Sequence, residues 1–243
     1  MPQVQYGTTT IDYELLNMKR KDLKITVDLV NGVQVAAPEE TSLETIEKAI
    51  KQRASWITSK LREIEQVHTP SFKKEYVSGE KFPYLGRHYR LKVHKEAVPT
   101  PVLKFHQGKF IAIVPRDWEY EQVEKVLEAK LIQWYRDHGI VKVKERAEIY
   151  KEILGVSPNS LQLRTQHKRW GTCTPNGDIY LNWRIVMAPV SVIDYVIVHE
   201  LAHLIVPEHN EKFWNVVQSV LFDYEKSKEW LRVQGMELHT IGS

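Results

Sequence analysis

The sequence predicts an α+β protein in two parts. A mainly antiparallel β-domain with one helix spans residues 1–117, and a small helical domain with a β-hairpin laid over one helix spans 118–243. Three observations predict it. Short alternating apolar runs punctuated by glycine turns fill the N-terminal half. From residue 119 apolar residues recur with helical period. One Asn-Gly pair, Asn176-Gly177, then interrupts the helical half between two β-rich runs. No Gly/Ser-rich linker separates the parts, so they are expected to pack together.

Composition sets the class. The 243 residues are 42% hydrophobic and 27% charged, the proportions of an ordinary soluble globular protein. A net charge of +3 is too mild to demand a nucleic-acid or anionic-membrane partner. The single cysteine, Cys173, excludes an internal disulfide and fits a reducing compartment. The opening Met-Pro-Gln-Val-Gln-Tyr carries no basic region followed by an apolar core. No stretch approaches the roughly 18 apolar residues of a membrane span. A cytoplasmic protein with no membrane partner is expected.

Taken in order, residues 8–16 are rich in β-formers, and residues 23–30 alternate. The latter meet Asn31-Gly32, a hairpin signal because both central turn positions need positive φ, and continue to a stop at Pro38. Residues 42–67 carry helical periodicity, capped by Thr41 or Ser42 and closed before Thr69-Pro70; Trp56 is expected to pack on the sheet. Two hairpins follow, turning at Leu85-Gly86 and Gln107-Gly108. His88, His94 and His106 stand alone in them and read as surface or hydrogen-bonded histidines. The long helical pattern from Glu119 meets Gly139, where it breaks or bends, and Gly155, which fits a C-terminal cap. Ser191 and Asp194 resemble a capping box before the next helix, and two amphipathic helices close the chain.

Residues 198–209 read Val-His-Glu-Leu-Ala-His-Leu-Ile-Val-Pro-Glu-His. On a helix, positions four apart share a face, so His199 and His203 can grip one ion. Glu200, beside His199, can reach a water on that ion, the arrangement of a zinc hydrolase. Pro207 stops the helix, and a turned chain can bring His209 back as a third nitrogen, leaving the fourth position to water. Ten histidines make chance pairs four apart unsurprising. Against chance stand the apolar setting, where polar groups are costly unless paired or ligating, the helix stop, and the third histidine just beyond it.

Residues 160–183 are the second informative stretch. The Asn176-Gly177 hairpin either pairs an extended substrate by strand addition or simply covers the active helix. Cys173 reads as a small buried hydrophobe rather than a soft ligand.

Arg-Trp-Gly-Thr-Cys (169–173), Leu-Asn (181–182), Tyr-Val-Ile-Val-His-Glu-Leu-Ala-His-Leu (195–204), His209 and Phe213-Trp214 together resemble the YgjP-like metallopeptidase family. These are zincins related to the WLM and SprT-like proteases. Thr172 stands where the family usually has serine and keeps the hydroxyl. The resemblance implies a zincin-like second domain, Zn2+ ligands at His199, His203 and His209, and Glu200 as the catalytic glutamate.

The expected activity is therefore zinc-dependent hydrolysis of a peptide or protein substrate. Tyr180, Tyr195, Tyr224, Arg169 and His239 are unranked candidates for stabilising the oxyanion. The alternative is a DNA-associated protease or factor active only with nucleic acid bound, in DNA repair or restriction–modification. It is motivated by the WLM similarity and by the basic runs Lys19-Arg20-Lys21 and His167-Lys168-Arg169. The modest net charge argues against strong DNA affinity.

Overall fold

A computed structural model of the chain describes residues 2–18, 20–28, 32–65, 74–166 and 169–242. It is α+β, with antiparallel pairing dominant in the N-terminal part. Strands β1 (Gln3–Tyr6) and β2 (Thr9–Asp12) form a hairpin. Strands β3 (Glu14–Met18), β4 (Lys24–Asp28) and β5 (Gly32–Pro38) form a sheet in the order β3-β5-β4. The β-rich run at 8–16 thus divides at Tyr13, whose N–H donates to the Pro2 carbonyl (3.1 Å). Asp28 pairs with Gly32 across β4 and β5; Asn31 of the expected turn lies outside the described residues, as do Thr69-Pro70, Lys19, His167 and Lys168.

Helix α1 (Leu43–Glu65) begins where the Ser42 hydroxyl accepts the Thr45 N–H (3.3 Å). It buries Ile46, Ile50, Ala54 and Ile57 in one cluster with the first five strands. Trp56 does not join them and is 43% exposed. It lies two positions past Ala54 and one before Ile57, so the 100° rotation per residue points it away from the buried stripe.

Strands β6 (Lys81–Tyr84), β7 (Arg87–Glu96), β8 (Val102–His106) and β9 (Lys109–Pro115) form a second sheet, ordered β6-β7-β9-β8. Both expected turns are present, with φ of 50° and 75° at Leu85-Gly86 and 46° and 69° at Gln107-Gly108. His88, His94 and His106 are exposed. The Leu85 and Gly86 N–H groups donate to the carbonyls of Val186 and Met187 (2.9 and 3.2 Å). This sheet therefore braces the chain just ahead of the His-Glu helix.

Helix α2 (Tyr120–Leu154) runs unbroken through Gly139 and ends at Gly155 with φ 65°. Glycine is needed at 139 for space rather than as a breaker: a Cβ there would sit 2.7 Å from Val186 Cγ1. Phe110 of β9 meets Trp134 of α2 edge-on (4.8 Å, 86°), and the Tyr135 hydroxyl donates to the Pro83 carbonyl (2.6 Å). The second sheet consequently shares its buried cluster with everything that follows, from Tyr76 to Ile241. The two buried clusters part between Leu61 and Tyr76, whereas the change from strand to helix periodicity falls at 117/118.

Strands β10 (Ser160–Arg164), β11 (Gly171–Cys173) and β12 (Asp178–Asn182) form a third sheet, ordered β10-β12-β11. The expected hairpin joins β11 to β12, with Gly177 at φ 81°. A 3₁₀ helix at Trp183–Met187 leads into α3 (Val190–Ala202), followed by α4 (Glu211–Val220) and α5 (Tyr224–Gln234). The expected Ser191/Asp194 capping box does not form. Pro189 occupies the cap position of α3, and Asp194 turns instead to Arg146 of α2, which donates to it through Nε (2.7 Å) and Nη2 (2.6 Å). No helix among the described residues is long and apolar enough to cross a membrane.

Candidate metal centre

Helix α3 is buried from Val192 to Ala202, and its geometry sets the first two histidines. His199 lies within its last turn, and His203 is its C-cap residue, still in the right-handed conformation (φ −65°, ψ −22°). The Leu204 and Val206 N–H groups bond back to Leu201 and Ala202 (3.1 and 2.9 Å), and the chain leaves the helix at Pro207. It is caught again at Asn210, whose side chain accepts the Phe213 N–H (3.1 Å) and starts α4. Between these two fixed points the turn returns His209 to the end of α3.

The three imidazoles then converge. Their candidate ligand atoms all lie within 4.8 Å of one another, and Nε2 of His209 is 2.9 Å from Nε2 of His199. Among the described residues this is the one cluster of histidine, cysteine or carboxylate groups suited to hold a metal ion. Nitrogens bound about 2.0–2.1 Å from one tetrahedral ion stand roughly 3.3 Å apart, so the donor set fits a zinc-sized ion. Burial first, then the neighbouring His209 and His203, hold the His199 imidazole well below its ordinary pKa. It is thus neutral, as a ligand must be.

A ladder of rings locks this arrangement. The Phe213 ring lies 4.6 to 4.9 Å from all three imidazoles. His209 stacks on Trp214 (5.8 Å, 23°), Trp214 on Tyr224 (5.3 Å, 15°), and Tyr224 on Tyr195 (6.1 Å, 17°). Tyr195 closes the circuit edge-on to His199 (5.8 Å). Phe213 and Trp214 lie on the amphipathic helix expected after His209, and their rings hold the third histidine.

Glu200 is fully buried and lies against the hairpin. A Cβ built on Gly171 would come within 2.2 Å of Glu200 Oε1 and 2.6 Å of its Cδ, so only glycine leaves the carboxylate room. Gly171 stood out only inside the Arg-Trp-Gly-Thr-Cys run of the resemblance; its φ is not positive, so its spatial role could not be read from the sequence. Asn182 was also missed as a structural element. Fully buried, it donates from Nδ2 to the carbonyls of Gln166 (2.6 Å) and Arg169 (3.2 Å), and its N–H donates to the Trp170 carbonyl (2.8 Å). These bonds fix the segment that delivers Gly171 to Glu200.

The five oxyanion candidates divide. Arg169 is buried and donates from Nη1 to Glu14 of β3 (3.1 Å), with the Glu200 charge also acting on it. Tyr180 lies under the Arg164 guanidinium (3.3 Å), His239 meets Trp170 edge-on (5.2 Å), and Tyr195 and Tyr224 belong to the ring ladder. Cys173 is partly buried against the core. Burial, reinforced by the charges of Glu200 and Glu14, pushes its thiol up to about 12, which suits a packed hydrophobe better than a thiolate ligand.

The first sheet reaches this centre twice. Glu14 meets Arg169, and Arg20 donates from Nη1 to Glu208 (2.9 Å), the residue before His209. Both ion pairs join segments far apart in the chain.

No curated protein matches the chain. Among solved structures, the crystal structure of the metallopeptidase zymogen of Pyrococcus abyssi abylysin is 27% identical, covering 39% of this chain and 93% of that one, with a TM-score of 0.35. The profile of the YgjP-like metallopeptidase domain matches residues 21–234. That match spans nearly the whole sequence, and the chain therefore belongs to the YgjP-like metallopeptidase family.

Proposed function

We propose that this protein is a zinc-dependent peptidase in which His199, His203 and His209 hold the ion and Glu200 is the general base. The observation that carries the reading is the convergence of three imidazoles beside a fully buried carboxylate. A bound Zn2+ supplies Lewis-acid polarisation of the scissile carbonyl and lowers the pKa of a coordinated water towards about 7. The rest falls to the chain. Glu200 takes a proton from the attacking water and passes it to the leaving amine. Gly171 keeps the carboxylate in place, and the ring ladder keeps His209 aimed at the other two imidazoles. A carboxylate beside the ligands has no use in a purely structural site, which supports catalysis over mere metal storage.

The test measures zinc by elemental analysis and cleavage of an unfolded protein such as reduced casein. About one zinc per chain and chelator-sensitive cleavage are expected. Glu200→Gln should retain the metal and lose the cleavage. Full activity in that variant would overturn the mechanism.

A further inference from the structure

Beside the histidine cluster lies a cavity of about 730 Å³, within the roughly 300–1,000 Å³ of ligand pockets. Leu16, Asn17 and Met18 of β3 line it, together with the turn from Cys173 to Gly177. His203, Leu204 and Pro207 line it too, so the cavity shares one histidine of the cluster. Strand side chains alternate between faces. Three consecutive residues can therefore line one cavity only where it meets the strand's edge. The sheet order β3-β5-β4 places β3 at that edge, where main-chain groups are available to an added strand. Among the described lining residues the charge is one-sided. Glu39 lines the cavity, and no lysine or arginine is among its described lining residues.

We propose that this cavity is the substrate subsite, and that it takes an extended polypeptide whose side chain beside the scissile bond is lysine or arginine. The peptide main chain runs along the β3 edge. The aliphatic stem of the basic side chain lies on Leu16, Met18 and Leu204, and its head meets Glu39, as long cationic side chains bury their stems and keep their charge at the rim. The N-terminal sheet is then half of the substrate cleft rather than a separate module. The inference rests on the peptidase reading but concerns binding, which can be measured without turnover.

The experiment uses the full-length, zinc-loaded Glu200→Gln variant and two fluorescent peptides, (Thr-Ala-Arg)4 and (Thr-Ala-Glu)4, read by anisotropy. The arginine peptide should bind about three- to fivefold more tightly, the scale of an exposed ion pair. Adding Glu39→Lys should abolish or reverse that preference. Glu40→Lys, the same charge change one residue outside the cavity wall, should preserve it. Asn17→Trp, an exposed position on the wall, should weaken both peptides at least tenfold by filling the cavity. Equal binding of the two peptides, or equal effects of the two lysine substitutions, overturns the subsite. Glu39-dependent binding without cleavage by the wild-type enzyme would sustain the subsite and sink the peptidase reading. Cleavage without Glu39 dependence would do the reverse.

Discussion

Replacing Gly171 with alanine tests whether the hairpin positions the base. The added Cβ would stand 2.2 Å from Glu200 Oε1, 2.6 Å from Cδ and 2.8 Å from Cγ. Ordinary non-bonded contact is about 3.5 Å, so carboxylate and strand must separate by roughly 1 Å. Glu200 is fully buried and cannot swing into solvent to make room. Asn182 ties the preceding segment at three points, which limits how far β11 can retreat. A misplacement of this size costs about 100-fold in rate, and overpacking a filled site costs about 1–3 kcal/mol in stability. The assay compares kcat on reduced casein, zinc content and denaturant midpoint for the wild type and Gly171→Ala. A kcat lower by about two orders of magnitude is expected with zinc content unchanged, because the three atoms nearest the new methyl group all belong to Glu200 and none to the proposed ligands. Wild-type kcat in a variant that retains its stability would refute the argument that Gly171 sets the position of Glu200.

Other predictions concern the supports of the site. Arg146→Ala removes the bidentate partner of Asp194, whose side chain is 8% exposed while that of Arg146 is 24% exposed. The usual 3–5 kcal/mol for breaking a buried pair should therefore be reduced to about 2 kcal/mol, measured by urea denaturation, and a double variant with Asp194→Asn should recover part of it. Asn210→Ala removes the cap of α4 beside His209 and should cost about 1 kcal/mol, with weaker zinc retention in competition with a chelator. Cys173 should alkylate slowly in the metal-free protein. Raising its pKa from 9.0 to about 12 lowers the thiolate fraction at pH 8 by about a thousandfold. The iodoacetamide rate should keep rising nearly tenfold per pH unit beyond pH 10, and levelling off by about pH 10 would show that the thiol is not raised.

The local parts of this protein were legible in its residues. The spacing of His199 and His203 is converted into a shared face by helix geometry alone. Pro207 marks the stop that lets the chain return His209, whereas the Asn210 cap that restarts the helix came only with the structure. Leu85-Gly86 and Gln107-Gly108 signal turns because those turns demand positive φ. Gly155 announces a C-cap for the same reason. Trp56 is the exception: expected on the sheet, it is turned by helical rotation away from the buried stripe of residues 46, 50, 54 and 57, and it is exposed.

What tertiary structure alone decided involves groups distant in sequence. Periodicity says that a face is buried but not against what, so it could not assign β6–β9 to the core of α2 rather than to that of the first sheet. Gly139 looks like a helix breaker until Val186 is seen to occupy the space of a Cβ. Asp194 looks like a cap until Arg146, on another helix, claims it. Gly171 and Glu200, or Glu14 and Arg169, meet only after sheets and helices have packed. The candidate ligand cluster was readable because His199, His203 and His209 lie within eleven residues of one chain segment; the cavity beside it was not, because its lining comes from segments far apart in the sequence.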